Sequence, residues 1–502
     1  MLKFRPTPHF RPVQIRVIYA KLYVLWRFSE YPNDVANVKV CLVLSTTSAQ
    51  SLTTMHPSNV RLKLTTAVAL STLAAAISSA ADITATLTAN PTANFNLTSD
   101  STISGSTDLA LSGDFTNSGA SNRLTVNNTG LTTFAGPVWI SESTANRSLT
   151  FSGTGNILIS GAIGKNAAGG SASTNGNFSY SGSGILTLAG ANTFGGSIGV
   201  SGGGTVSVSN LSTATPTSIS FFRIGGGTST STGRLLYTGS GETYNKQIGV
   251  GTAVGDSVGI IDQTGTGQLT LSGGVTASHS GNKTLILQGS TNGAVAAITK
   301  GLSTSFALIK QGAGTWSLSG VNDFTGTTTV EQGTLTLTGS LASTRIAVGN
   351  GATFDFQKSG TNVLTRNFTL TEGASLIGSA TNSFASSGTT TLAADLSDGF
   401  TAITLGATFT ASGILNFDLT NISEGVYGLF SGTTPTGAFT SVVGTGFITA
   451  DNFTGTVNGF NYSFNNSSNT LSISAVPEPA TYGALAGLGI LGFAVYRRRR
   501  AS

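Results

Sequence analysis

Charge, cysteine and histidine are all scarce in this chain, and each shortage excludes something. Asp, Glu, Lys and Arg together make up 9% of the 502 residues, against about 25% in an ordinary soluble domain. The formal net charge of +5 comes from the two ends. Nine Lys/Arg fall within the first 63 residues and four more are Arg497, Arg498, Arg499 and Arg500; from Asp82 to Ala475 there are 12 Lys/Arg against 17 Asp/Glu. The body is weakly acidic, so a nucleic-acid partner loses its main support, because phosphate binding needs Lys and Arg clustered on the folded domain. Cys41 is the single cysteine, which rules out an internal disulfide and a Cys-based metal site. His279 is the single histidine of the body, and in "TASHSGNK" it reads as a surface-loop residue. Neither a nucleophile with its base nor the usual zinc ligand set can be assembled from these residues.

Other chemical motifs are also thin. Glycoside hydrolysis needs a pair of carboxylates. The closest pair is Asp395 and Asp398 in "LAADLSDGF", whose spacing suits a turn equally well and which has no second acidic cluster or nearby base. Calcium is left with scattered Asp and Asn loops, since neither an EF-hand nor a G-G-x-G-x-D repeat occurs. Gly164-Lys165 is no phosphate loop: Ile159 stands where the first glycine is needed and Asn166 replaces Ser/Thr. Gly202-Gly203-Gly204 belongs to a repeat turn. Trp139, Trp316, Phe194 and Phe324 can stack on sugars, but the last three sit at repeat positions, which favours packing in a core or turn. The expectation is a protein that is not an enzyme and holds no metal or cofactor.

Glycine and apolar residues are plentiful. There are 66 glycines, and hydrophobic residues reach 39%, too many for a disordered polar tract. "GSGILTLAGANTFGGSIGVSGGGTVSVS", from Gly182, and "GAGTWSLSGVNDFTGTTTVEQGTLTLT", from Gly312, are two copies of one pattern. Gly182, Gly184, Leu188, Gly190, Asn192, Phe194, Gly196 and Val200 match Gly312, Gly314, Leu318, Gly320, Asn322, Phe324, Gly326 and Val330 in the same spacing. Leu186/Leu188, Trp316/Leu318, Val206/Val208 and Leu335/Leu337 alternate with Ser or Thr, the period-two mark of half-buried strands. One such unit cannot bury its own apolar face, whereas stacked units can. The pattern predicts an all-β solenoid over 82–388, clearest at 182–208 and 312–337, with ~20 residues per coil and a rod of roughly 90 Å at the usual strand spacing. Residues 389–475 carry more Phe and Tyr and fewer repeat matches, and read as either a β-rich cap or degenerate coils.

The ends read as addresses. From Met55, Arg61 and Lys63 precede an apolar stretch, Leu64–Ile77, and then Ser79-Ala80-Ala81, so 55–81 is predicted as a signal peptide cleaved by signal peptidase before Asp82. Residues 1–54 differ in composition from all that follows. They read as a long n-region or as sequence upstream of a true start at Met55. At the other end, 480–496 is a nearly unbroken apolar run, marginally long enough to span a bilayer, and four arginines follow it as a cytoplasmic stop.

Val476-Pro477-Glu478-Pro479, the apolar run and Arg497–Arg500, in that order over 476–502, resemble the PEP-CTERM sorting signal. The resemblance implies recognition by an exosortase-type protease in the inner membrane of a Gram-negative bacterium. It also implies export beyond that membrane and an association with extracellular polysaccharide. The two repeat copies resemble the autotransporter-associated β-strand repeat, which implies a right-handed parallel β-helix. Autotransporters end in a membrane β-barrel, whereas this chain ends in the sorting tail. The expected role is structural or adhesive, at the cell surface or in the extracellular matrix. A polysaccharide-active enzyme on the same scaffold is the alternative.

Overall fold

A computed structural model describes residues 83–84, 94–166, 176–215, 221–226, 231–397, 399–449 and 451–476, together with 488, 490, 491, 493 and 496. These residues wind into a right-handed parallel β-solenoid of about 14 turns with almost no helix. Each coil lays strands on three faces. The first face runs through Asn122–Val126, Ser148–Ser152 and Asn177–Tyr180 to Ile298–Thr299. The second runs through Ile157–Ile159, Ile185–Leu188 and Gly204–Val208 to Ser441–Gly444. The third holds Phe115–Asn117, Val138–Ser141 and Ile163–Asn166, and resumes from Glu242–Tyr244 to Phe430–Gly432. Where it is interrupted, the four-residue helix Leu211–Ala214 takes a strand's place.

Alternation sets the core. Leu186, Val206, Leu235, Ile261, Leu287 and Lys310 are register partners in successive coils, and all point inward. Phenylalanines add a spine inside the rod: Phe134 meets Phe115 and Phe151 edge-on at ring centroids 5.2 Å apart, and the chain of contacts continues through Phe178 to Phe194. Such pairs are favourable beyond the area they bury.

The coils are unequal, and most exceed the length estimated from the sequence. Register advances by 18 residues from Val330 to Val348 but by 29 from Ile157 to Leu186. The spread lies in the corners, since the short coil from Thr315 to Thr334 already carries three strands. About 14 turns at the parallel-strand spacing make a rod of roughly 65 Å, shorter than the sequence estimate.

Past residue 389 the parallel ladder continues through Thr408–Ala411 and Ile414–Leu419 to Ser441–Gly444. An antiparallel sheet then closes the end, in the order Gly425–Gly428, Thr470–Ala475, Phe460–Asn465, Thr454–Val457, Phe447–Thr449. Val442 N donates to Asn452 O at 2.7 Å, and Phe439 N to Asn466 Oδ1 at 3.0 Å. The cap therefore takes up backbone N–H groups of the last coil at Phe439 and Val442, which covers part of an edge that would otherwise recruit another chain.

The expected signal peptide (Ser79, Ala81 and Asp82 included) and residues 1–54 lie outside the described residues. Among the described residues no helix is long and apolar enough to cross a membrane. Leu488, Ile490, Leu491, Phe493 and Tyr496, from the run expected to span one, are helical and exposed.

Candidate functional site

The repeat signature is a stacking device. Asn192 Oδ1 accepts from Ile163 N at 2.8 Å, and its Nδ2 donates to Ala214 O at 2.7 Å. Asn322 Oδ1 accepts from Ile298 N at 2.8 Å, and its Nδ2 donates to Ser340 O at 2.9 Å. Each side chain ties one coil to the coils before and after it. Phe194 and Phe324, two residues on, are fully buried. Gly190 and Gly320 are required by close approach: a Cβ there would lie 2.1 Å from Gly161 O or Ala296 O. These residues build the rod and leave no reactive group at its surface.

A groove flanked by unusual side chains lies on the second face, at the ends of Ser257–Gln263, Asn282–Gly289 and Ser305–Lys310. In "SFALIK", Phe306, Leu308 and Lys310 share a parity, so a lysine enters the core. Lys310 is fully buried, and its Nζ donates to Gln311 O at 2.8 Å, Gly312 O at 2.6 Å and Gln332 O at 3.0 Å. Burial pushes its ammonium down to about pH 8. Lys283, also buried, donates to Gly255 O in the same manner.

On the outward side, two columns run along the rod axis. Ile260 is the register partner of Ile286, and Ile286 of Ile309. Two residues further along each strand stand Asp262 and Gln288, also register partners, and then Gln311. Asp262 is 2% exposed because Arg234 pairs with it from the preceding coil and Gln288 Nε2 donates to it at 2.7 Å. Gln311 Nε2 donates to Glu331 Oε2 at 2.8 Å. Asp262, Gln288, Gln311, Glu331 and Gln332, with the glycine turns at Gly289 and Gly312, line an open groove of about 400 Å³, and the isoleucine column stands beside it, two residues back along the strands.

The residues singled out from sequence are dispersed. His279 is half-buried, with Nδ1 3.2 Å from Gly251 O. Asp395 accepts from Ser397 N at 2.9 Å and from Asn421 Nδ2 at 2.6 Å, and the Ser397 bonds lead in holding its carboxyl below the usual range. Asp398 lies outside the described residues. Gly164 and Lys165 are in a strand, Ile163–Asn166, and Gly202-Gly203 form a turn. Trp316 is fully buried; Trp139 is half-buried and outward, its Nε1 donating to Asp114 Oδ2 at 3.1 Å. Among the described residues no group of three or more His, Cys, Asp or Glu could hold a metal.

Val476 is 43% exposed and directly follows the last strand of the cap, Thr470–Ala475. Pro477, Glu478, Pro479 and Arg497–Arg500 lie outside the described residues. Sequence reading missed Lys310, Asp262 and the isoleucine column. The lysine's inward parity was a usable signal; the burial of Asp262 depends on Arg234, 28 residues earlier.

Comparison with protein families matches the PEP-CTERM protein-sorting motif over 475–500 and the passenger-associated-transport repeat over 179–208 and 308–337. The chain carries both elements. The motif implies processing by an exosortase, a membrane protease, and export to the cell envelope or surface. No curated protein and no solved structure matches the chain.

Proposed function

We infer that this is a non-enzymatic structural or adhesive protein of the cell surface or extracellular matrix, with extracellular polysaccharide as a partner. A signal peptide over 55–81 starts its export. The tail then crosses the inner membrane as a helix over 480–496, and an exosortase-type protease cuts at Val476–Pro479. The observation that carries this reading is the sorting motif joined without a linker to the capped end of a long, weakly acidic rod. A repetitive rod suits a role spread along its surface. The non-enzymatic part is supported by the groove carboxylates, since Asp262 is held by Arg234 and Gln288, and Glu331 by Gln311.

Terminal-peptide mass spectrometry on membrane and culture supernatant tests the sorting. The expected mature chain starts near Asp82 and lacks the residues after Pro479. An intact Tyr496–Arg497 peptide found in the membrane fraction alone would mean a retained anchor and would remove the matrix role.

A further inference from the structure

The groove over Asp262, Gln288 and Gln311 lies beside three isoleucines in unbroken succession on the same face. In the preceding coils the column of Asp262, Gln288 and Gln311 carries Leu158, Thr187, Ser207 and Leu236, and in the following coils the column of Ile260, Ile286 and Ile309 carries Thr329, Ala347, Thr369 and Thr391. Here an aliphatic column stands beside a hydrogen-bonding column, both parallel to the rod axis. Successive members of each are one strand spacing apart, about 4.8 Å, a step close to the length of one pyranose ring. Gln288 and Gln311 each use one N–H on a neighbouring carboxylate, which leaves an amide oxygen and a second N–H.

We propose that this groove, together with the isoleucine column beside it, is a binding subsite for a neutral polysaccharide, laid lengthwise along the rod, with C–H faces on Ile260, Ile286 and Ile309 and hydroxyls on Gln288, Gln311 and Glu331. The inference rests on the surface or matrix reading above and adds the site and the charge class. The charge class follows from the side chains. Arg234 is neutralised by Asp262, and Lys310 is turned into the core against three carbonyls. Glu331 is therefore the exposed charge of the groove, and it repels an acidic polymer. A peptide strand has no purchase, because the backbone groups of these strands are spent on their neighbours in the ladder.

The test is affinity electrophoresis of the mature chain in gels containing the producing organism's own extracellular polysaccharide, separated into neutral and acidic fractions. The neutral fraction is expected to retard the protein. Gln288→Ala/Gln311→Ala should weaken retardation by about tenfold, while Thr369→Ala, on the same face, should leave it unchanged. Raising NaCl from about 0.05 to about 0.5 M should change the wild-type binding by less than about twofold, as neutral recognition requires; this reading does not depend on any variant folding. Absence of retardation, retardation by the acidic fraction alone, a strong salt dependence, or a folded double variant that binds as wild type would each overturn the subsite. None of these outcomes touches the sorting result, because the mass-spectrometric ends are read independently of any glycan.

Discussion

The two repeat copies share a pattern but occupy different faces of the rod. In the first, Ile185–Leu188 and Gly204–Val208 lie on the second face and Ile198–Val200 on the first. In the second, the matching strands Thr315–Leu318 and Thr334–Leu337 lie on the third face and Thr328–Val330 on the second. The same sequence signature has moved on by one face. The asparagine moves with it: Asn192 continues the third face beyond Ile163, and Asn322 continues the first face beyond Ile298. The repeat therefore specifies a corner, namely strand, asparagine-tied bend, strand, turn and strand. It does not specify which side of the rod that corner faces.

If the corner is the unit, equivalent substitutions must cost the same in both copies. The largest effect is expected at the glycines. Gly190→Val and Gly320→Val each drive a Cβ against a backbone carbonyl of the coil below, at a cost on the order of 4 kcal/mol. Local opening free energies from hydrogen exchange should fall equally around both sites. Tolerance at one site alone would break the equivalence. Next comes the place where the copies differ. Leu186 pairs with Ile157 and Val206, but Trp316 pairs with Gly293, and the indole occupies the space a side chain would take there. Trp316 Nε1 also donates to Gln288 O at 3.1 Å. Trp316→Leu should cost about 3 kcal/mol, and adding Gly293→Val should restore part of it, a coupling that a double-mutant cycle reads directly.

The asparagine pair sharpens the comparison with a smaller effect. Asn192→Ala and Asn322→Ala each leave buried backbone groups of two neighbouring coils without partners, at about 2 kcal/mol. Amide exchange should rise first at Ile163 in one variant and at Ile298 in the other. Protection lost on the same face in both would contradict the rotation.

How much of this was legible follows from range. "ILTLAG" and "WSLSG" announce strands because alternation is local, and the stacking logic follows from strands too short to bury themselves. The face each strand occupies was not legible. Corner geometry decides it, and coils between 18 and 29 residues leave the corners unequal. The isoleucine column was hidden likewise: Ile260, Ile286 and Ile309 look like ordinary strand residues until register sets them in line. The sorting end was the reverse case. Its motif is contiguous, so the match over 475–500 was readable without any fold.

At the start of the second copy lies the buried Lys310, and it carries the smallest predicted effect. Its ammonium titrates near 8 in the folded chain, below the ordinary 10.5, because burial disfavours the charge. Between those values the unfolded chain holds more protons than the folded one, so stability rises with pH across that window. The three carbonyl bonds favour the charged form and oppose burial, which leaves a gain of about 1–2 kcal/mol. Tyr180 and Tyr244 act in the opposite sense. Burial raises both phenols to about 12, so the unfolded chain ionises first and stability falls from about pH 10 upward. Denaturant midpoints from pH 7 to 12 should therefore pass through a maximum near pH 10 in the wild type. In Lys310→Met the rising limb should shrink to what Lys246 and Lys283, whose ammonium groups are also pushed down by burial, contribute, and the falling limb should stay. A rising limb left undiminished by the substitution would assign it to Lys246 and Lys283 in place of Lys310.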